Sequence, residues 1–160
     1  MNRYLVMLLL VGFLFPFALA EQNTIELSTY MYDSLSDTAA IVGDMQFDGD
    51  WYYANDIERA FLRDDVILAG NCNDEIKLIA LNEACDFSLF GLQVGMDVKK
   101  LRPIIYQYDY KTFKQDGTHF IFTISERDDG FVETLWVIVK ENKISNVVFE
   151  AGFGHGMLGY

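Results

Sequence analysis

The apolar residues change their spacing along this chain, and the changes mark out its elements. Tyr4 to Phe17 is a nearly unbroken apolar run. Ile25, Leu27, Tyr30, Met31, Leu35 and Ala39 follow at loose helical spacing, with Ser34, Ser36 and Asp37 as cap or break positions, so the spacing predicts one helix, interrupted if anywhere at those serines, within 21–43. Residues 44–50 read as a turn. Ala54 to Arg63 reads as a short helix capped by Asn55 or Asp56, with Ile57, Ala60 and Phe61 on one side. Val66 to Ala69 and Ile76 to Leu81 are short runs rich in branched residues and predict two strands around a turn at Asn71-Cys72-Asn73-Asp74.

Beyond Phe87 the pattern sharpens. Asp97 caps a short helix to Arg102 with Val98 and Leu101 inward, and Pro103 is expected to end or kink it. Phe120, Phe122 and Ile124 alternate with Ile121, Thr123 and Ser125, as on a half-buried strand. Asp128-Asp129-Gly130 is a turn, Phe131 to Lys140 a second strand, and Glu141-Asn142 a tight hairpin into Ile144 to Glu150. The reading is an α+β fold, with helices packed on one face of an antiparallel sheet and a C-terminal three-stranded meander. There is no strict internal repeat.

The first apolar run has the layout of a secretory signal: Arg3 ahead of it, then Ala18-Leu19-Ala20 with small residues at the cleavage positions, then polar Glu21. The organisation predicted is a signal peptide over 1–20, one domain over 21–150 and a loose Gly-rich tail over 151–160. No membrane insertion is expected once the signal is cut. Of 12 basic and 24 acidic residues only Arg3 lies in the leader, so the remainder carries 11 against 24, a charge of −13. Such a charge argues against nucleic acid and anionic membrane surfaces and favours a basic partner. Cys72 and Cys85 are the two cysteines; in an oxidising compartment they predict a disulfide, a staple worth roughly 3 kcal/mol.

Gly91-Leu92-Gln93-Val94-Gly95-Met96-Asp97, the helix positions Val98 and Leu101, and the hairpin Val139-Lys140-Glu141-Asn142-Lys143-Ile144 form a recognisable sequence. From Phe90 through Phe149 the chain resembles one half of the exported α/β domains that include the outer-membrane assembly lipoproteins of the SmpA/OmlA type and the beta-lactamase inhibitor protein. It departs from the lipoproteins in having no lipid-attachment cysteine. The resemblance implies a helix layer on an antiparallel sheet whose open face binds another protein.

The surface aromatics point the same way. Tyr106, Tyr108 and Tyr110 alternate along one edge of the chain, and Trp51, Tyr52 and Tyr53 sit beside Asp48, Asp50 and Asp56. Rings supply contact area and carboxylates supply steering. Chemistry finds less support. Asp44, Asp48, Gly49 and Asp50 resemble part of a calcium loop, but Gln46 and Asn55 stand where ligands are required. His119 and His155 are the two histidines, and a hydrolase from Ser125 or Ser145 with His119 is a matter of geometry alone. The expectation is a periplasmic or secreted, non-enzymatic protein-binding domain of inhibitor or immunity type, without metal or cofactor; the alternative is a cell-envelope assembly or structural protein.

Overall fold

The computed structural model describes residues 24–50 and 57–153. The predicted signal peptide, the cluster Trp51, Tyr52, Tyr53 and Asp56, and the last seven residues lie outside them. The chain forms β1 (Ile25–Glu26), helix α1 (Leu35–Val42), β2 (Gln46–Asp48), β3 (Arg59–Leu62), β4 (Val66–Gly70), β5 (Ile76–Leu81) and β6 (Phe87–Ser88). Helix α2 (Leu101–Ile105), β7 (Thr112–Asp116), β8 (His119–Glu126), β9 (Phe131–Lys140) and β10 (Lys143–Phe153) follow. Eight strands make one antiparallel sheet in the order β2-β3-β4-β5-β10-β9-β8-β7. The α+β expectation is therefore corrected. The fold is mostly β, and its α-helices of 8 and 5 residues are too short to form a layer over the sheet.

Local chemistry explains where the sequence reading holds and where it fails. The helix expected over 21–43 shrinks to α1 because Tyr32 turns the chain at φ 73° and Ser34 then caps, its Oγ accepting from Asp37 N at 3.1 Å. Of the helix expected over 54–63, residues 54–56 lie outside the described residues and Arg59–Leu62 form β3 instead, paired with β2 on one side and β4 on the other. A short apolar run fits either element, and two neighbouring strands decide it. As a result Ala60 and Phe61 point to opposite faces. The turn at 44–50 becomes β2 after a reversal at Gly43 and Asp44, with φ 74° and 50°. Pro103 sits inside α2, because a 3-10 turn over Val98–Lys100 precedes it and places the proline early enough to need no N–H. At the other extreme, Glu141 and Asn142 adopt φ 51° and 63°, the paired left-handed conformation of a tight hairpin.

A repeat invisible in the sequence appears in the topology. A side-chain-capped helical segment leads into the meander β2-β3-β4-β5, and a second, capped by Asp97, leads into β7-β8-β9-β10. The last strands of the two meanders join antiparallel, Val147 opposite Leu81 and Phe149 opposite Ile79, so the halves are related by an approximate twofold axis. On one face Leu35, Ala39 and Val42 of α1 and Leu101 and Ile105 of α2 bury against Leu68, Ile79, Leu135 and Phe149. The other face holds Ala60, Ala69, Leu78, Ala80, Trp136 and Val148. There the Trp136 indole donates to Glu150 Oε1 at 2.8 Å.

Glu26 fastens the start of the described chain. β1 pairs parallel with β6, and the Glu26 carboxylate accepts from Ser28 N (3.0 Å), Ser28 Oγ (2.5 Å), Ser88 Oγ (2.8 Å), Phe90 N (2.8 Å) and Gly91 N (2.8 Å). Phe90 and Gly91 are consecutive left-handed residues, φ 53° and 71°, which makes their two N–H groups converge on one anion.

The disulfide expectation is also corrected: Cys72 and Cys85 are free thiols. Cys72 is exposed at the β4–β5 turn, whereas Cys85 lies beyond the far end of β5, close to Arg63 and Asp65. The six residues of β5 between them span roughly 17 Å, against a Cα separation of about 4.4–6.8 Å for a bridge.

Candidate functional site

Two surfaces carry the residues singled out in the sequence, and they lie at opposite ends of the sheet. The first is a groove between α1 and the β2 edge. The left-handed pair Gly43-Asp44 swings the chain off the helix, leaving an open groove of about 390 Å³ lined by Ser36, Ala39, Ala40, Asp44, Met45 and Phe61. Phe47 meets Phe61 in a tilted ring contact at 5.0 Å yet stays 54% exposed, and Ile41 is 48% exposed. Asp48 Oδ1 accepts from Asp50 N at 3.0 Å, an Asx turn that holds the acidic corner in shape.

Arg63 at the end of β3 spends most of its charge internally. Its guanidinium donates to the Val42 and Gly43 carbonyls at 2.9 and 3.1 Å, closing the C-terminus of α1, and grips Asp65 at 2.5 and 2.9 Å. Hydrogen bonding from Arg63 holds the Asp65 carboxyl below its ordinary value. Asp44 still feels the Arg63 charge, while Asp44 and Asp50 remain exposed at the acidic corner. They do not converge on a cation: among the described residues no cluster of three or more His, Cys, Asp or Glu side chains has metal-binding geometry.

The second surface follows α2. The sequence places Tyr106, Tyr108 and Tyr110 on one edge, but the chain leaves α2 as a turn, and the three rings divide. Tyr106, 65% exposed, stacks with Tyr110 at 6.5 Å, and Tyr110 meets Phe122 edge-on at 5.5 Å. Tyr108 turns away to the ring of Phe90 at 5.2 Å, and burial, then the charge of Glu26, raises its phenol above the ordinary value. Arg102, Tyr106, Tyr110, Phe113 and Phe120 close around a slot of about 20 Å³, room for roughly one water, so this is an aromatic contact surface and not a small-molecule pocket. Phe113 lies on β7, a strand with no expectation from the sequence. Its signal was the alternation of Phe113 and Gln115 with Thr112, Lys114 and Asp116, too short and polar to stand out.

From β2 to β7 there are seven strand spacings, about 34 Å. Asp48 and Asp50 on one side and Tyr106 and Tyr110 on the other therefore do not form a single acidic aromatic face. The hydroxyls considered for catalysis are otherwise engaged. Ser125 Oγ donates to Glu133 at 2.6 Å and Ser145 Oγ to the Ile138 carbonyl at 3.1 Å. Ser125 lies six residues along β8 from His119, roughly 20 Å, and Ser145 lies two strands away, roughly 10 Å.

No protein-family model, curated protein or solved structure matches this chain.

Proposed function

We propose that the chain is an exported, non-enzymatic protein-binding domain that holds a basic protein against its α1–β2 half, in the manner of an inhibitor or immunity protein. One observation carries the reading, the segregation of charge between two halves of like topology. Residues 21–86 hold 15 acidic against 3 basic side chains, a net of −12, whereas residues 87–160 hold 9 against 8, a net of −1. If the charge served only solubility, it would need no such partition. Spread over the first half, with Asp44, Asp48 and Asp50 beside the α1–β2 groove, it steers a cationic surface toward Ile41, Phe47 and the apolar lining, where contact area is available for an anchor residue. The resemblance over residues 90–149 to exported domains that bind proteins points in the same direction.

The test is co-purification from an envelope extract, comparing the protein with a variant carrying Asp44→Asn, Asp48→Asn and Asp50→Asn. The expected result is a basic partner whose recovery falls at high salt and is lost in the variant. Equal recovery on both removes the acidic half from the argument. Recovery only in a large membrane complex that survives the substitutions replaces this reading with an envelope-assembly role.

A further inference from the structure

We propose that the outer edge of β7 pairs with the same strand of a second copy, joining two sheets into one across a twofold axis. β7 ends the sheet, and every residue from Thr112 to Asp116 is exposed. It is five residues long, contains no proline, and pairs with β8 in unbroken register from Thr112 to Asp116. Such a strand presents a free row of backbone N–H and C=O groups, which sheet proteins otherwise shorten, bend or cover. The opposite edge is managed in just that way, since β2 has three residues and acidic Asp44, Asp48 and Asp50 around it.

Charge selects this edge for self-pairing. Joining two copies through β2 sets two halves of −12 side by side; joining them through β7 brings together halves of −1 and holds the acidic ends apart. It also selects the register. With Gln115 on the axis, Lys114 of each copy lies opposite Asp116 of the other, and the alternation of side chains puts both pairs on one face. On the other face Phe113, stacked on Phe122 at 5.0 Å and still 41% exposed, comes opposite Gly117 of the second copy, where no side chain obstructs it. The register shifted by two residues, which would pair β7 along its whole length, sets Lys114 against Lys114 and is disfavoured.

Sedimentation of the purified protein over a concentration series tests the pairing. The expected mass doubles with concentration and stops at a dimer. Lys114→Glu faces Asp116 with a carboxylate, and Asp116→Lys faces Lys114 with an ammonium, so each alone weakens association about tenfold. An equimolar mixture of the two variants restores it, because both pairs are then of opposite sign; restoration also shows that each variant is folded. Asp48→Lys leaves association unchanged. A protein that stays monomeric throughout overturns the proposal, as do single variants that associate normally, a mixture that fails to recover, or loss of association in Asp48→Lys.

Discussion

Replacing Glu26 by alanine removes one acceptor from five donors, and its cost follows from which donors water can reach. Gly91 is exposed and Ser28 can rehydrate, so their losses are small. Ser88, 5% exposed, and the Phe90 amide of a buried residue lose their charge-assisted acceptor at 2.8 Å with little solvent to replace it. Two such losses sum to about 2–4 kcal/mol. The left-handed conformation at Phe90 adds to this, because a bulky residue holds φ 53° only while its surroundings enforce it. At roughly 4 °C per kcal/mol for a domain of this size, Glu26→Ala should melt about 8–16 °C below the parent. Thermal and urea unfolding followed by circular dichroism read the change, with Glu83→Ala at an exposed position as the reference, expected within about 0.5 kcal/mol of the parent. Amide exchange at Phe90 and Gly91 should accelerate in step. Glu26→Gln gives an independent readout, since loss of the negative charge lowers the Tyr108 phenol toward its ordinary value in an ultraviolet titration. A Glu26→Ala melting point within about 2 °C of the parent would refute the reasoning.

Other consequences are as direct. Thiol titration of the purified protein should find two reactive sulfhydryls, Cys72 at once and Cys85 slowly because burial raises its thiol, and Cys72→Ser should shift stability by less than about 1 kcal/mol. Gly70→Ala places a methyl carbon 2.3 Å from the Glu75 carbonyl oxygen across the β4–β5 turn, so a loss of about 2–4 kcal/mol in urea unfolding is expected. Asp65 and Asp74 both sit below the ordinary carboxylate range. Arg63 holds Asp65 there, and at Asp74 burial is outweighed by hydrogen bonds from Ser34 and Ser36. The stability they contribute is therefore complete above the unfolded value near pH 4 and falls away as pH drops through the lower folded values; Asp65→Asn should flatten that acid limb.

Much of the later sheet was legible residue by residue. Phe120 to Ser125 and Phe131 to Lys140 alternate cleanly, and a Lys-Glu-Asn-Lys stretch between Val139 and Ile144 leaves little but a hairpin. Asp97 and Ser34 cap their helical segments through contacts two or three residues away. Among the strands of the first half only β4 and β5 were legible. Arg59 to Leu62 has no period of its own, and nothing nearby says that β2 and β4 will flank it.

The sequence by itself therefore determined what depends on neighbours along the chain: caps, tight turns, well-patterned strands and the total charge. Tertiary structure alone decided that β5 meets β10, which converts two meanders into an eight-stranded sheet and sets the acidic edge and the aromatic edge about 34 Å apart. The reason is physical. Caps and turns are satisfied within a few residues, whereas β5 acquires its place from partners as distant in sequence as Glu150 is from Leu78, and no local pattern names them.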